Sequence, residues 1–130
     1  MTNILIIDDD RELCEFMAEV AARNGFAASH CQTIQEGIWV AHDKAFDIVF
    51  LDKQMPDGNG LEYLSKFRSI LPFPEVIMMT GHAEPRDIEK SRKNGAWDYL
   101  EKPVTPEIFI STIQQILPCR ERISHFWPTS

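Results

Sequence analysis

The chain alternates between two hydrophobic periods. Five apolar runs, at 3–7 (NILII), 26–30, 48–51 (IVFL), 75–79 (EVIMM) and 96–100, are too short for helices and have the composition of strands. Between them, apolar residues recur every three or four positions. Leu13, Phe16, Met17, Val20 and Ala21 predict a first helix from Arg11, stopped by Asn24-Gly25. Thr33-Ile34-Gln35-Glu36 reads as a capping box that opens a second helix through about Ala41. Leu61, Leu64 and Phe67 predict a third, ending before Leu71-Pro72-Phe73-Pro74. A fourth, from Pro85 to Asn94, has Ile88 as its only large aliphatic residue among Arg86, Asp87, Glu89, Lys90, Arg92 and Lys93. Such a helix gains little from packing and is expected to be among the least firmly held elements. Thr105 as N-cap and Pro106 in the first turn announce a fifth. Its predicted buried stripe is Ile108, Phe109, Thr112, Ile113, Ile116 and Leu117, and Pro118 is expected to terminate it.

Strand and helix alternating five times with short links predict an α/β fold, a five-stranded parallel doubly wound sheet with right-handed crossovers and helices on both faces. Such a sheet brings the carboxyl ends of its strands to one edge. The strands here run out into Asp8-Asp9, then Asp52, then Thr80, then Lys102. Taken singly, each has an ordinary explanation. A strand-end Asp caps the next turn, Thr is a common strand residue, and Lys is usually solvated. Asp10 already serves as N-cap for the first helix, which leaves Asp8 and Asp9 without a structural task. Four segments delivering carboxylates, a hydroxyl and an ammonium to one edge favour a functional site.

Three carboxylates a few Å apart cannot all stay ionised without compensation, and one lysine is not enough. Oxygen ligands with room for water suit Mg²⁺, and no His/Cys cluster favours zinc. An ionised Asp52 in such a pocket can act as a nucleophile toward phosphorus, with the cation and Lys102 absorbing the charge of the incoming group.

Length and composition narrow the picture. At 130 residues the chain is one domain able to bury a real core. A formal charge of −7 with no basic run argues against direct nucleic-acid binding. Cys14, Cys31 and Cys119 share no metal-type spacing, and their odd number argues against a disulfide framework, so buried thiols in a reducing compartment are expected. No signal peptide and no membrane-length run is visible, which points to the cytoplasm. Residues 119–130 have no clear period, although Ile123, Phe126 and Trp127 would be odd in a free tail.

The IIDDD start, the LDKQMPDGNGLEYL centre, the VIMMTGH strand end and the GAWDYLEKP close resemble the receiver domain of bacterial two-component response regulators. The likeness runs from about residue 3 to 117 and is nearest the nitrogen-regulation (NtrC-type) receivers, in which TGH often follows the fourth strand. It implies a flavodoxin-like (βα)5 fold with strand order 2-1-3-4-5, a receiver at 1–118, and 119–130 as a tail or the start of a linker to an output domain. It implies Asp52 as phospho-acceptor, and Asp8, Asp9, Asp52 and the Gln54 carbonyl as Mg²⁺ ligands. Thr80 and Lys102 would hold the phosphoryl oxygens, Tyr99 would be the aromatic switch residue, and Lys102-Pro103 would be cis. The implied partners are a sensor histidine kinase or phosphotransfer protein, a downstream output, and a second copy in a phosphorylation-dependent homodimer. Arg86, Lys90, Trp97 and Tyr99 lie on the face expected to change, which runs from the fourth helix to the last.

Some positions are less usual for that family. Lys53 is expected to put a second cation near the pocket, and Asp57 and Asn59 exchange the small and acidic residues common in this loop. Gln54 and His82 flank the path of attacking water. Two other functions compete with a switch that is not itself an enzyme. A Mg²⁺-dependent aspartyl-phosphate phosphatase or phosphotransferase would need a second acid two residues after Asp52, where Gln54 stands, and a lid, which the chain lacks. A pseudo-receiver acting only as an interaction domain is disfavoured by the intact pocket.

Overall fold

The computed structural model describes residues 1–126. Strands β1 (Asn3–Ile7), β2 (Ala27–Cys31), β3 (Ile48–Asp52), β4 (Glu75–Thr80) and β5 (Ala96–Glu101) form one parallel sheet in the order β2-β1-β3-β4-β5. Helices α1 (Arg11–Arg23), α2 (Ile34–Asp43), α3 (Leu64–Arg68), α4 (Pro85–Lys93) and α5 (Pro106–Phe126) connect and cover it. The flavodoxin-like order and the doubly wound layering agree with the sequence expectation.

Side-chain alternation splits the core in two. Leu5, Ile7, Val49, Leu51, Val76 and Met78 face α2 and α3. Ile4, Ile6, Ile48, Phe50, Ile77 and Met79 face α1 and α5, where the Phe50 and Phe109 rings lie 4.8 Å apart. Central β3 is buried along its whole length, as a strand covered on both faces must be, whereas β2 and β5 at the edges are only partly buried.

The predicted caps hold. Asp10 Oδ1 accepts from Leu13 N–H at 3.1 Å, Thr33 Oγ1 from Glu36 N–H at 3.1 Å, and Thr105 Oγ1 from Ile108 N–H at 3.2 Å. Cys14 and Cys31 are buried free thiols, and burial pushes their pKa values up to about 11 and about 12. No described helix is long and apolar enough to cross a membrane.

Several boundaries differ from the sequence reading. The second strand is displaced by one residue, to Ala27–Cys31, because its register with β1 pairs Ile7 with Cys31. On α1 the buried stripe includes Cys14, while Phe16 is half exposed. On α5 Ile108 likewise faces outward. The third helix opens as a 3₁₀ turn at Gly60–Tyr63, preceded by a two-residue hairpin that pairs Gln54-Met55 with Gly58-Asn59. Pro118 does not terminate α5. The helix runs through it to Phe126, with the Gln114 carbonyl losing its backbone donor, and Trp127 lies outside the described residues.

One tertiary bond was not anticipated. Asp57, in the loop after β3, accepts from the Ile34 and Gln35 N–H groups, both at 3.0 Å, and so caps the start of α2 from outside that helix. Burial would raise its pKa, but the two backbone donors outweigh it and hold the carboxyl below its ordinary value. A folded pKa below the unfolded one gives stability that is present above the unfolded pKa and lost as pH falls through the folded pKa. Asp57→Ala is therefore expected to cost about 0.5–2 kcal/mol in urea unfolding at pH 7. The difference from wild type should close on acidification.

Candidate functional site

The carboxyl ends of β1, β3 and β5 deliver the predicted residues to one place. Asp8 continues β1, its N–H donating to the Cys31 carbonyl at 3.1 Å, and its side chain turns into the molecule with no exposed surface. Asp52 closes β3 and is 4% exposed. After β5, the Lys102 N–H donates to the Thr80 carbonyl at 2.7 Å, and a cis Lys102-Pro103 bond comes next. From there the Lys102 ammonium reaches back to both acids, with Nζ 2.6 Å from Asp8 Oδ2 and 2.8 Å from Asp52 Oδ2.

The remaining carboxylate oxygens are also held. Asp8 Oδ1 accepts from Asp10 N–H at 2.9 Å, and Asp52 Oδ1 from Gln54 N–H at 3.1 Å. Asp9 stays exposed at the rim, and one carboxylate oxygen from each of Asp8, Asp9 and Asp52 lies within 4.8 Å of the others. An all-oxygen donor set open to solvent on one side is the kind a hard divalent cation takes.

The electrostatics arise from this crowding. Burial raises the pKa of Asp52, and the Asp8 charge adds to it, against the pull of Lys102 and the Gln54 N–H. Burial would lower the pKa of Lys102, but its bonds to Asp52 and Asp8 prevail and raise it. One ammonium thus serves two buried carboxylates, and Asp52 sits where charge is costly.

Thr80 and Tyr99 lie on the α4 side. Thr80 is 2% exposed, and its hydroxyl donates to the His82 carbonyl at 3.1 Å while accepting from His82 N–H at 3.2 Å. In this arrangement the hydroxyl is engaged with the loop after β4. Tyr99 Oη is already turned inward. Its hydroxyl is buried beside the Thr80 hydroxyl without a hydrogen bond of good geometry, and burial raises its pKa against the opposing effect of Thr80.

Arg86 and Lys90 stand exposed on α4, and Trp97 and Tyr99 border a shallow groove between α4 and β5 with Ile88 and Arg92, apart from the acidic pocket. Lys53, next to Asp52 in the chain, makes no ion pair with the pocket acids among the described residues. Its ammonium pairs with Asp87 in the first turn of α4. Only the placement of charge across 34 residues carries that pairing, and no local spacing announces it.

A doubly wound sheet of this order, with paired acids, a strand-end aspartate and a lysine after the last strand at one edge, is the arrangement of a receiver-type α/β signalling domain. The chain belongs to the response regulator receiver domain family of two-component systems, whose model matches residues 4–114. Escherichia coli KdpE, the KDP operon transcriptional regulatory protein, is 32% identical over 79% of this chain and 45% of its own length. A receiver domain protein (CheY-like) from Methanospirillum hungatei superposes with TM-score 0.89 at 29% identity, covering 94% of this chain and 98% of that one. The beryllofluoride-activated NtrC4 receiver domain, solved as a dimer, gives 0.83 at 28% identity, covering 89% and 96%. The chain spans about half the length of the curated relatives it matches.

Proposed function

We propose that Asp52 takes a phosphoryl group from a phosphohistidine of a sensor kinase or phosphotransfer protein, and that the face formed by α4, β5 and α5 passes the change to an output. The observation that carries this reading is the single lysine shared by two buried carboxylates, with a third at the rim. An Asp52 oxygen forms a bond to phosphorus as the donor's P–N bond breaks, and that bond's electron pair stays on the imidazole. Lys102, already at 2.8 Å from the nucleophile, holds a phosphoryl oxygen without having to be recruited. Thr80 exchanges its bond to the His82 carbonyl for one to another phosphoryl oxygen.

Asp8, Asp9 and Asp52 fit Mg²⁺ as protein ligands, and the Gln54 carbonyl is our choice for a further one. When bound, the ion neutralises charge on the phosphoryl oxygens. The buried Tyr99 hydroxyl, next to the Thr80 hydroxyl but without a well-formed hydrogen bond, makes that side chain our switch residue, since it has one to gain from rearrangement of Thr80 and His82.

Arg86, Lys90 and Trp97 would contact the output or a second copy, and the NtrC4 receiver dimer supports the homodimer. The Thr80-Gly81-His82 sequence supports the nitrogen-regulation type, and the segment is assigned to the cytoplasm with no role in binding nucleic acid or membrane. The output itself is assigned to chain beyond this domain, in keeping with relatives about twice as long. We assign the domain a switching role without turnover on another substrate.

The test is incubation with a small phosphodonor and Mg²⁺. The expected result is one hydroxylamine-labile phosphoryl group per chain, abolished by Asp52→Asn. Repeated turnover of the donor would instead indicate an enzyme, and absence of any adduct a pseudo-receiver.

A further inference from the structure

The α4 helix is poorly anchored by apolar packing. Ser91 is its one fully buried residue, Ile88 is half buried, and Glu84 at its N-cap makes no side-chain capping bond. Its first turn is tied down differently. Asp87 pairs with the ammonium of Lys53, and both side chains are mostly buried, at 15% and 18% exposed, which limits screening by salt. The root of Lys53 is fixed, because its N–H donates to the Met79 carbonyl at 2.8 Å and its carbonyl accepts from Gly60 N–H at 2.7 Å. Lys53 is also the residue next to Asp52. The residue that follows the acceptor in the chain therefore carries an ion pair to the first turn of a weakly anchored helix.

We propose that the Lys53–Asp87 ion pair is a latch: it holds the first turn of α4 against the acceptor loop, and a phosphoryl group on Asp52 loosens it by attracting the ammonium and repelling Asp87. The release step rests on the acceptor reading given above, while the latch itself does not. Without the latch, α4 keeps its packing on β5 and on the Gly60–Tyr63 turn, and its opening free energy falls. The charges decide the direction. With the pair reversed, a phosphoryl group would repel the acid at 53 and attract the base at 87, so phosphorylation would no longer free the helix.

Hydrogen exchange of the α4 amides, measured on Lys53→Glu, Asp87→Lys, their combination, and the milder Lys53→Met and Asp87→Asn, tests both parts. In the unphosphorylated chain each single change is expected to speed exchange in α4 by about tenfold, with the reversed pair returning to within about threefold of wild type. Exchange in β1 and β3 should not move. Treatment with a small phosphodonor and Mg²⁺, with the adduct counted by mass, should then speed α4 exchange in wild type and leave the reversed pair unchanged or slower. Unchanged exchange in the single variants, or no recovery in the reversed pair, overturns the latch. A reversed pair that carries the adduct and still loosens like wild type overturns the release step. A wild-type chain that gains no phosphoryl mass overturns the acceptor reading and the release step together, and the unphosphorylated cycle still decides the latch.

Discussion

Lys102→Met is expected to destabilise the metal-free protein at pH 7 by about 3 kcal/mol, the range seen when one partner of a buried ion pair is removed. The ammonium is hydrogen-bonded to Asp8 and Asp52 at 2.6 and 2.8 Å, and both acids are almost wholly buried. Methionine fills similar volume but leaves two desolvated carboxylates facing each other. The pH dependence carries the signature. In wild type, a folded Lys102 pKa above 10.5 gives stability that is fully present below the unfolded pKa and lost as pH rises through the folded one. In the variant the acids dominate. A carboxyl such as Asp52, already raised from 3.8, binds its proton more tightly folded than unfolded, so stability should increase as pH falls into the window between those two pKa values.

Two companions sharpen this test. Asp52→Asn in the Lys102→Met background should recover part of the loss, because it removes one of the uncompensated charges. Divalent cation should stabilise the single variant by binding only the folded state. Urea unfolding from about pH 4 to 11, with and without Mg²⁺, measures all of this. A Lys102→Met midpoint equal to wild type across that range would mean the lysine does not compensate the two acids.

The parts of the site legible in the sequence were those that topology alone assembles. Asp8, Asp52 and Lys102 each close or succeed a recognisable strand, and a parallel sheet puts such residues on one edge whatever the side-chain detail. Local capping was legible for the same reason, since Asp10, Thr33 and Thr105 bond within three residues of themselves. The pairings between distant exposed-looking charges escaped. Asp57 reaches α2 across 23 residues and Lys53 reaches α4 across 34, and hydrophobic period says nothing about either. The helix stripes failed at Phe16 and Ile108, where an apolar residue one position off the buried face fits the 3.6-residue spacing nearly as well. At Pro118 the local rule fails, since the helix continues through it without the Gln114 carbonyl's backbone donor.

Gly60→Ala is expected to slow phosphorylation of Asp52 by about 100-fold, the scale of an ångström-sized misplacement of a reacting group. A Cβ at position 60 would lie 2.2 Å from the Asp52 carbonyl oxygen and 3.1 Å from its carbon. These are backbone atoms of the acceptor itself, at the end of the most buried strand, so neither can swing aside as a side-chain tip would. The Gly60 N–H also donates to the Lys53 carbonyl at 2.7 Å, which keeps the loop from retreating without losing that bond. The loop and the end of β3 must therefore separate, at an overpacking cost of about 1–3 kcal/mol, and the Asp52 side chain moves away from Lys102 with its backbone. Gly58→Ala in the same loop is the control. Its φ of +152° strains any other residue, but its Cβ would meet only Tyr63 and Ile34 side chains at 3.5 and 3.8 Å. It should lose stability and keep its phosphorylation rate. Phosphodonor labelling of the two variants, each at a temperature where it is folded, separates strain in the loop from displacement of the nucleophile. Equal rates for both would show that the close approach of Gly60 does not set the position of Asp52.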